Sequence, residues 1–94
     1  MEEWKIIVSG RVQGVCYRQS IITFVSQFAG GKIVGYTKNL FDGTVEIVGQ
    51  GKKEDLEALK LFSYKGSKYC HVDSVEVFKK TVSKISYSDF KIVY

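Results

Sequence analysis

Trp4-Lys5-Ile6-Ile7-Val8-Ser9-Gly10-Arg11-Val12-Gln13-Gly14-Val15-Cys16-Tyr17-Arg18 changes its hydrophobic period part-way along. Residues 4–12 are rich in β-branched side chains (Ile6, Ile7, Val8, Val12) and read as a strand. Gln13-Gly14 makes a short turn. From about residue 17 to residue 29, Tyr17, Ile21, Phe24, Val25, Phe28 and Ala29 recur at helical spacing, with Arg18, Gln19, Thr23, Ser26 and Gln27 mostly on the other side. Gly30-Gly31 then closes the helix, as glycine commonly does just past a last turn.

Outward from this unit, residues 33–40 read as a second strand. Asp42-Gly43 is a hairpin signal, since both residues tolerate positive φ. Residues 44–48 return as a third strand, which Gly49 and Gly51 are expected to break. Glu54 and Asp55 suit the start of a helix, where acids meet the positive end of the dipole. Leu56, Leu59 and Phe62 give that helix an apolar stripe through about Tyr64. Residues 72–78 form a fourth strand, and residues 87–94 a last one with Phe90, Ile92 and Tyr94 on one face. The order predicts a βαββαβ, ferredoxin-like α+β sandwich, with two helices on one face of an antiparallel sheet and room for a short fifth strand.

Composition limits the alternatives. The 94 residues suit one domain, 1–94, and 45% hydrophobic content suffices for one core. The net charge of +4 is spread along the chain, without the Lys/Arg block of a nucleic-acid arm. No run approaches the roughly 20 apolar residues of a membrane helix. Met1-Glu2-Glu3-Trp4 carries acids where a signal peptide carries bases, which points to a cytoplasmic location. Cys16 and Cys70 are expected to be free thiols, and a single His leaves little basis for a metal site. His71 reads as structural or superficial.

The chemistry concentrates where the first strand feeds the first helix. A helix start exposes backbone N–H groups without internal partners, and a glycine turn lets several converge, so the loop can cradle an anion. Arg18 adds a planar cationic fork suited to two phosphate oxygens. These residues fit equally a plain turn followed by a solvated helix arginine, and physics alone leaves both readings open. The glycine spacing and the missing Lys-Ser/Thr exclude a Walker loop.

Gly10-Arg11-Val12-Gln13-Gly14-Val15-Cys16-Tyr17-Arg18 resembles the first signature of the acylphosphatase family, G-x-V-Q-G-V-x-[F/Y]-R. Gly35-Tyr36-Thr37-Lys38-Asn39-Leu40-Phe41-Asp42-Gly43-Thr44-Val45-Glu46 resembles the second, and Phe90-Lys91-Ile92-Val93-Tyr94 the closing strand. The resemblance implies a small enzyme that hydrolyses acyl phosphates without metal, cofactor or covalent intermediate. It implies that Arg18 and the backbone N–H groups of Gly14, Val15, Cys16, Tyr17 and Arg18 hold the phosphoryl group, while Asn39 positions the attacking water. Inorganic phosphate would be product and inhibitor, and the chain a monomer without nucleic-acid or membrane partners.

The leaving group makes this small inventory plausible. A carboxylic acid has a pKa of about 4, so the departing carboxylate needs no proton at neutral pH. The loose transition state of phosphoryl transfer leaves mainly positioning and charge stabilisation to the protein. Cys16 has no companion base in sequence and occupies a variable position of the motif. Asn39 could alternatively just end a strand, Asp42 serves the turn, Tyr17 packs into the core, and Tyr36 packs rather than binds ligand.

Two rival functions are weighed. An RNA-binding sheet would need a Lys/Arg-Gly-aromatic-Gly-aromatic pattern where Thr44-Val45-Glu46-Ile47-Val48 stands. An inert interaction domain would have no reason to keep both Arg18 and Asn39. Three departures from the family are visible. Asn39 lies a few positions farther from Arg18 than expected, with the surplus placed around Ala29-Gly30-Gly31-Lys32. Gly66-Ser67-Lys68 replaces a Gly-Pro, so that connection is expected to be looser or differently built. The polar segment 79–86 is expected to lengthen a final hairpin.

Overall fold

The computed structural model describes residues 1–29 and 32–94. The elements are β1 (Glu2–Arg11), α1 (Tyr17–Phe24), a π-helical continuation (Val25–Ala29), β2 (Val34–Asn39), β3 (Val45–Gly51), α2 (Lys53–Lys65), β4 (His71–Thr81) and β5 (Phe90–Val93). The five strands make one sheet in the order β4-β1-β3-β2-β5. All neighbours are antiparallel except β2 and β5, which run parallel. The expected ferredoxin-like sandwich is therefore present, with a parallel strand added at one edge.

Strand alternation sends Trp4, Ile6 and Val8 of β1 and Val45 and Ile47 of β3 to one face, and all five are fully buried. Tyr17, Ile21 and Val25 from the first helix and Leu56 and Leu59 from α2 close over them. Each such side chain contributes about 1.5–3 kcal/mol by leaving water. The opposite face carries polar pairs. Tyr36 donates to Glu46 Oε2 at 2.8 Å, and Gln50 donates to Glu3 Oε1 at 2.8 Å. Tyr36 thus packs, as expected, with its ring edge-on to Tyr87.

Three elements differ from the sequence expectation. β3 runs through Gly49 to Gly51 instead of stopping. A Cβ at Gly49 would lie 3.1–3.4 Å from Leu56, Ile33 and Leu59 side-chain carbons, so the glycine makes room for the helix above rather than ending the strand. The first helix widens into π geometry over Val25–Ala29, which takes one more residue per turn. The expected stop at Gly30-Gly31, and the part of the surplus placed there, lie outside the described residues. Finally, β4 and β5 are no hairpin, because they occupy opposite edges of the sheet. The chain after Thr81 crosses to the far edge, pinned where Ser86 N–H donates to Gln50 Oε1 at 2.8 Å and Gly35 N–H donates to the Asp89 carbonyl at 2.8 Å.

This topology gathers four chain segments at one end. β1 and β2 both flank β3 antiparallel, so they point the same way and their C-termini meet. β5 is parallel to β2 and delivers Tyr94 to the same end. β3 finishes at the opposite end of the sheet, so α2 must run back and brings its C-terminus, near Ser67, to this end as well. The pairing of His71 with Arg11 marks the arrival there.

Candidate active site

The loop between β1 and α1 is built from two left-handed residues. Gly14 has φ 72° and open space around it. Cys16, the residue before α1, has φ 61° and ψ 24°, and is the one non-glycine with positive φ among the described residues. A cysteine in that region is strained, and the surroundings must hold it there. Where left-handed residues alternate with right-handed ones, successive N–H groups turn toward one side and can receive an anion. The side chain of Cys16 makes no cap bond to α1, so the first N–H groups of the helix are not taken up by it.

Val12, Gly14, Cys16, Tyr17, Arg18, Gln19 and Ile92 line a cavity of about 330 Å³. The Arg18 guanidinium lies 5.2 Å from the ring centre of Tyr94. Tyr94 also lines an adjoining cavity of about 460 Å³ with Gln13, Lys38, Asn39, Leu40 and Phe41. Arg18 and the loop line one hollow and Asn39 another, linked by the contact of Arg18 with Tyr94. A separate hollow of about 410 Å³ beside Val25, Ile33 and Phe90 has Asp89 as its charged group, which repels phosphate.

Asn39 is the last residue of β2. Its Oδ1 is buried and has no hydrogen-bond partner among the described residues, and the same holds for Thr37 Oγ1 two residues earlier on the same face. An unpaired buried acceptor costs about 1–3 kcal/mol, a cost found at functional sites more than elsewhere. Asn39 ends the strand and leaves a buried amide oxygen able to accept a hydrogen bond.

Three tethers fix the loop. Gln13 Nε2 donates to the Leu40 carbonyl at 2.8 Å and to the Thr44 carbonyl at 2.9 Å, tying the loop to both sides of the β2–β3 turn. Ser67 Oγ donates to the Val15 carbonyl at 2.6 Å. The Tyr17 hydroxyl donates to the Ser63 carbonyl of α2 at 2.6 Å. Burial of Tyr17, with Cys70 beside it, holds its phenol neutral well above the ordinary tyrosine range. The connection after α2 is pinned rather than loose: Gly66 N–H donates to the Phe62 carbonyl at 2.9 Å and Cys70 N–H to the Ser67 carbonyl at 3.3 Å.

The other candidates take the structural roles expected of them. Asp42 Oδ1 accepts from Thr44 N–H at 3.0 Å and from its hydroxyl at 2.6 Å, which lowers the Asp42 carboxyl below its usual range and shapes the turn. His71 is exposed and meets Asp73 at 3.2 Å. Cys16 and Cys70 are free thiols. Among the described residues no three His, Cys, Asp or Glu side chains gather as a metal site, and no helix is long and apolar enough to cross a membrane. Sequence reasoning assigned no role to the Gln13 side chain, Ser67 or Thr37, and placed Tyr94 on a sheet face without its contact to Arg18. The first two act on backbone carbonyls distant in sequence, which no local pattern marks.

Comparison with known proteins places the chain as a whole. The acylphosphatase family model matches residues 4–92. The chain is 38% identical over 95 residues to an acylphosphatase of Bacillus licheniformis, covering all of both chains. It is 36% identical over 85 residues to one of Caldanaerobacter subterraneus, covering 90% of each. The crystal structure of acylphosphatase from Bacillus subtilis superposes with a TM-score of 0.89 at 33% identity over 100% of both chains. With sequence and fold in agreement over nearly its whole length, the chain belongs to the acylphosphatase family of hydrolases.

Proposed function

We propose that this enzyme hydrolyses acyl phosphates by one in-line attack of water on phosphorus, without metal or covalent intermediate. The observation that carries the proposal is the pairing of hollows: a nest with Arg18 beside an Asn39 whose buried oxygen lacks a partner. The backbone N–H groups of residues 14–18 and the Arg18 fork hold the phosphoryl oxygens. Asn39 orients a water by accepting one of its hydrogens. The water oxygen forms a bond to phosphorus as the bond from phosphorus to the acyl oxygen breaks, and the electron pair leaves on the carboxylate. An amide is too weak a base to take the proton. A phosphoryl oxygen of the substrate takes it, giving carboxylate and dihydrogen phosphate. The product fits the same cradle and inhibits competitively.

Family membership and a single sheet with one core support a monomeric one-domain enzyme spanning 1–94. The test is hydrolysis of benzoyl phosphate in ¹⁸O-water with chelator present. Turnover is expected to persist, with the label entering inorganic phosphate and none entering benzoate. Label in benzoate, or loss of turnover with chelator, contradicts the mechanism.

A further inference from the structure

The α2–β4 connection reaches the cradle through one side chain. Ser67 Oγ, 52 residues away in sequence, donates to the carbonyl of Val15 at 2.6 Å. That carbonyl belongs to the peptide between Val15 and Cys16. No described peptide is cis, and in a trans peptide the C=O and N–H point in opposite directions. Holding the Val15 oxygen toward Ser67 therefore turns the Cys16 N–H the other way, and Cys16 lines the cavity that contains Gly14 and Arg18.

A second observation bears on the same peptide. Cys16 has φ 61°, a strained choice for a residue with a side chain. Without an external hold, the peptide would relax toward a conformation in which the N–H no longer faces the cavity. Ser67 itself has a firm base. It follows Gly66, whose φ of 57° and ψ of −139° suit glycine alone, and its carbonyl receives the Cys70 N–H.

We infer that Ser67 is a positioning residue for phosphoryl binding: it orients the Val15–Cys16 peptide so that the Cys16 N–H joins the anion cradle. The inference rests on the proposed function of the loop and names a part of its control that lies in another element. It separates two labours. Ser67 acts on the grip on phosphate, and leaves the water held at Asn39 alone.

The test uses the full chain and the variants Ser67→Ala and Ser67→Thr. Four quantities are measured: KM and kcat for benzoyl phosphate, the inhibition constant of inorganic phosphate, and the amide shift of Cys16 as phosphate is added. Ser67→Ala is expected to raise KM and the phosphate constant together by about threefold to tenfold, the value of one hydrogen bond, with kcat within about twofold. The phosphate-induced shift of the Cys16 amide shrinks in parallel. Ser67→Thr keeps the hydroxyl and stays within about twofold of the parent. Unchanged KM and phosphate constant in Ser67→Ala overturn the inference, even if the variant melts earlier. So does a fall in kcat alone, or a Thr variant as impaired as the Ala variant. A parent enzyme that neither binds phosphate nor turns over benzoyl phosphate overturns the reading of the loop and this inference with it. An active parent with an indifferent Ser67→Ala removes the role of Ser67 alone.

Discussion

Arg18 shares a hollow with Gly14 and Cys16 ahead of its own helix and lies 5.2 Å from the ring of Tyr94. The ring contact contributes about 0.5–1 kcal/mol at an exposed site and limits where the guanidinium can swing. A lysine would keep the charge and lose the planar two-pronged donor. Arg18→Lys is expected to lower kcat/KM by on the order of a hundredfold, measured with benzoyl phosphate. A variant within about threefold of the parent would mean that a point charge suffices. Gln13 makes a different kind of claim. Its amide holds the Leu40 and Thr44 carbonyls, and Leu40 follows Asn39 directly. Replacing it by the similarly shaped Met is expected to lower kcat about tenfold or more, because a small misplacement of Asn39 affects the attack. In an Asn39→Ala background the same change should cost nothing further, since the two act as one unit. Additive losses would show that Gln13 acts elsewhere. Arg18 and Asn39 were singled out as candidates by their resemblance to the two family signatures. Gln13 and Ser67 were not, because their partners are main-chain carbonyls whose position depends on the folded topology.

The elements show the same limit on local reading. The change of period near Gln13, the hairpin at Asp42-Gly43 and the stripe of Leu56, Leu59 and Phe62 each depend on neighbours close in sequence, and each lies where the sequence placed it. The end of β3 and the edges of the sheet depend on non-local pairing. Gly49 reads as a breaker until Trp4 and Gly35 pair with it and two α2 leucines cover it. The last strand reads as a hairpin partner of β4 until the crossing segment carries it to β2. Gly66 joins element to site. A Cβ there would collide with the ring of Tyr17 in the first turn of α1, besides straining the backbone. Gly66→Ala is expected to cost about 2–3 kcal/mol, lowering Tm by on the order of 10 °C, and to weaken phosphate binding as well because Tyr17 and Ser67 move with it. A variant that melts with the parent would show that the α2 terminus yields freely.

At the scale of the molecule, the tyrosines set the response to alkali. The Tyr17 hydroxyl donates to Ser63, and burial keeps it protonated far above its ordinary value near 10. Tyr36 is raised in the same direction by burial and by its bond to Glu46. A raised folded-state value means that the folded protein binds more protons than the unfolded chain once pH exceeds about 10. Their contribution is therefore whole below pH about 10 and falls as pH rises beyond it. Denaturant unfolding is expected to give level stability from pH 7 to about 9 and a decline above 10. Tyr17→Phe should lose about 1–2 kcal/mol at pH 7 and decline less steeply above 10. Equal slopes in the two proteins would place the alkaline transition in other groups.

The central claim is a division of labour in which the loop and Arg18 bind while Asn39 places the water. Steady-state hydrolysis of benzoyl phosphate by Asn39→Ala, with chelator in every assay, tests it most directly. In this variant kcat is expected to fall by on the order of a hundredfold or more with KM and phosphate inhibition within about threefold of the parent. A variant whose KM rises while kcat survives would contradict it, and would make Asn39 a binding residue.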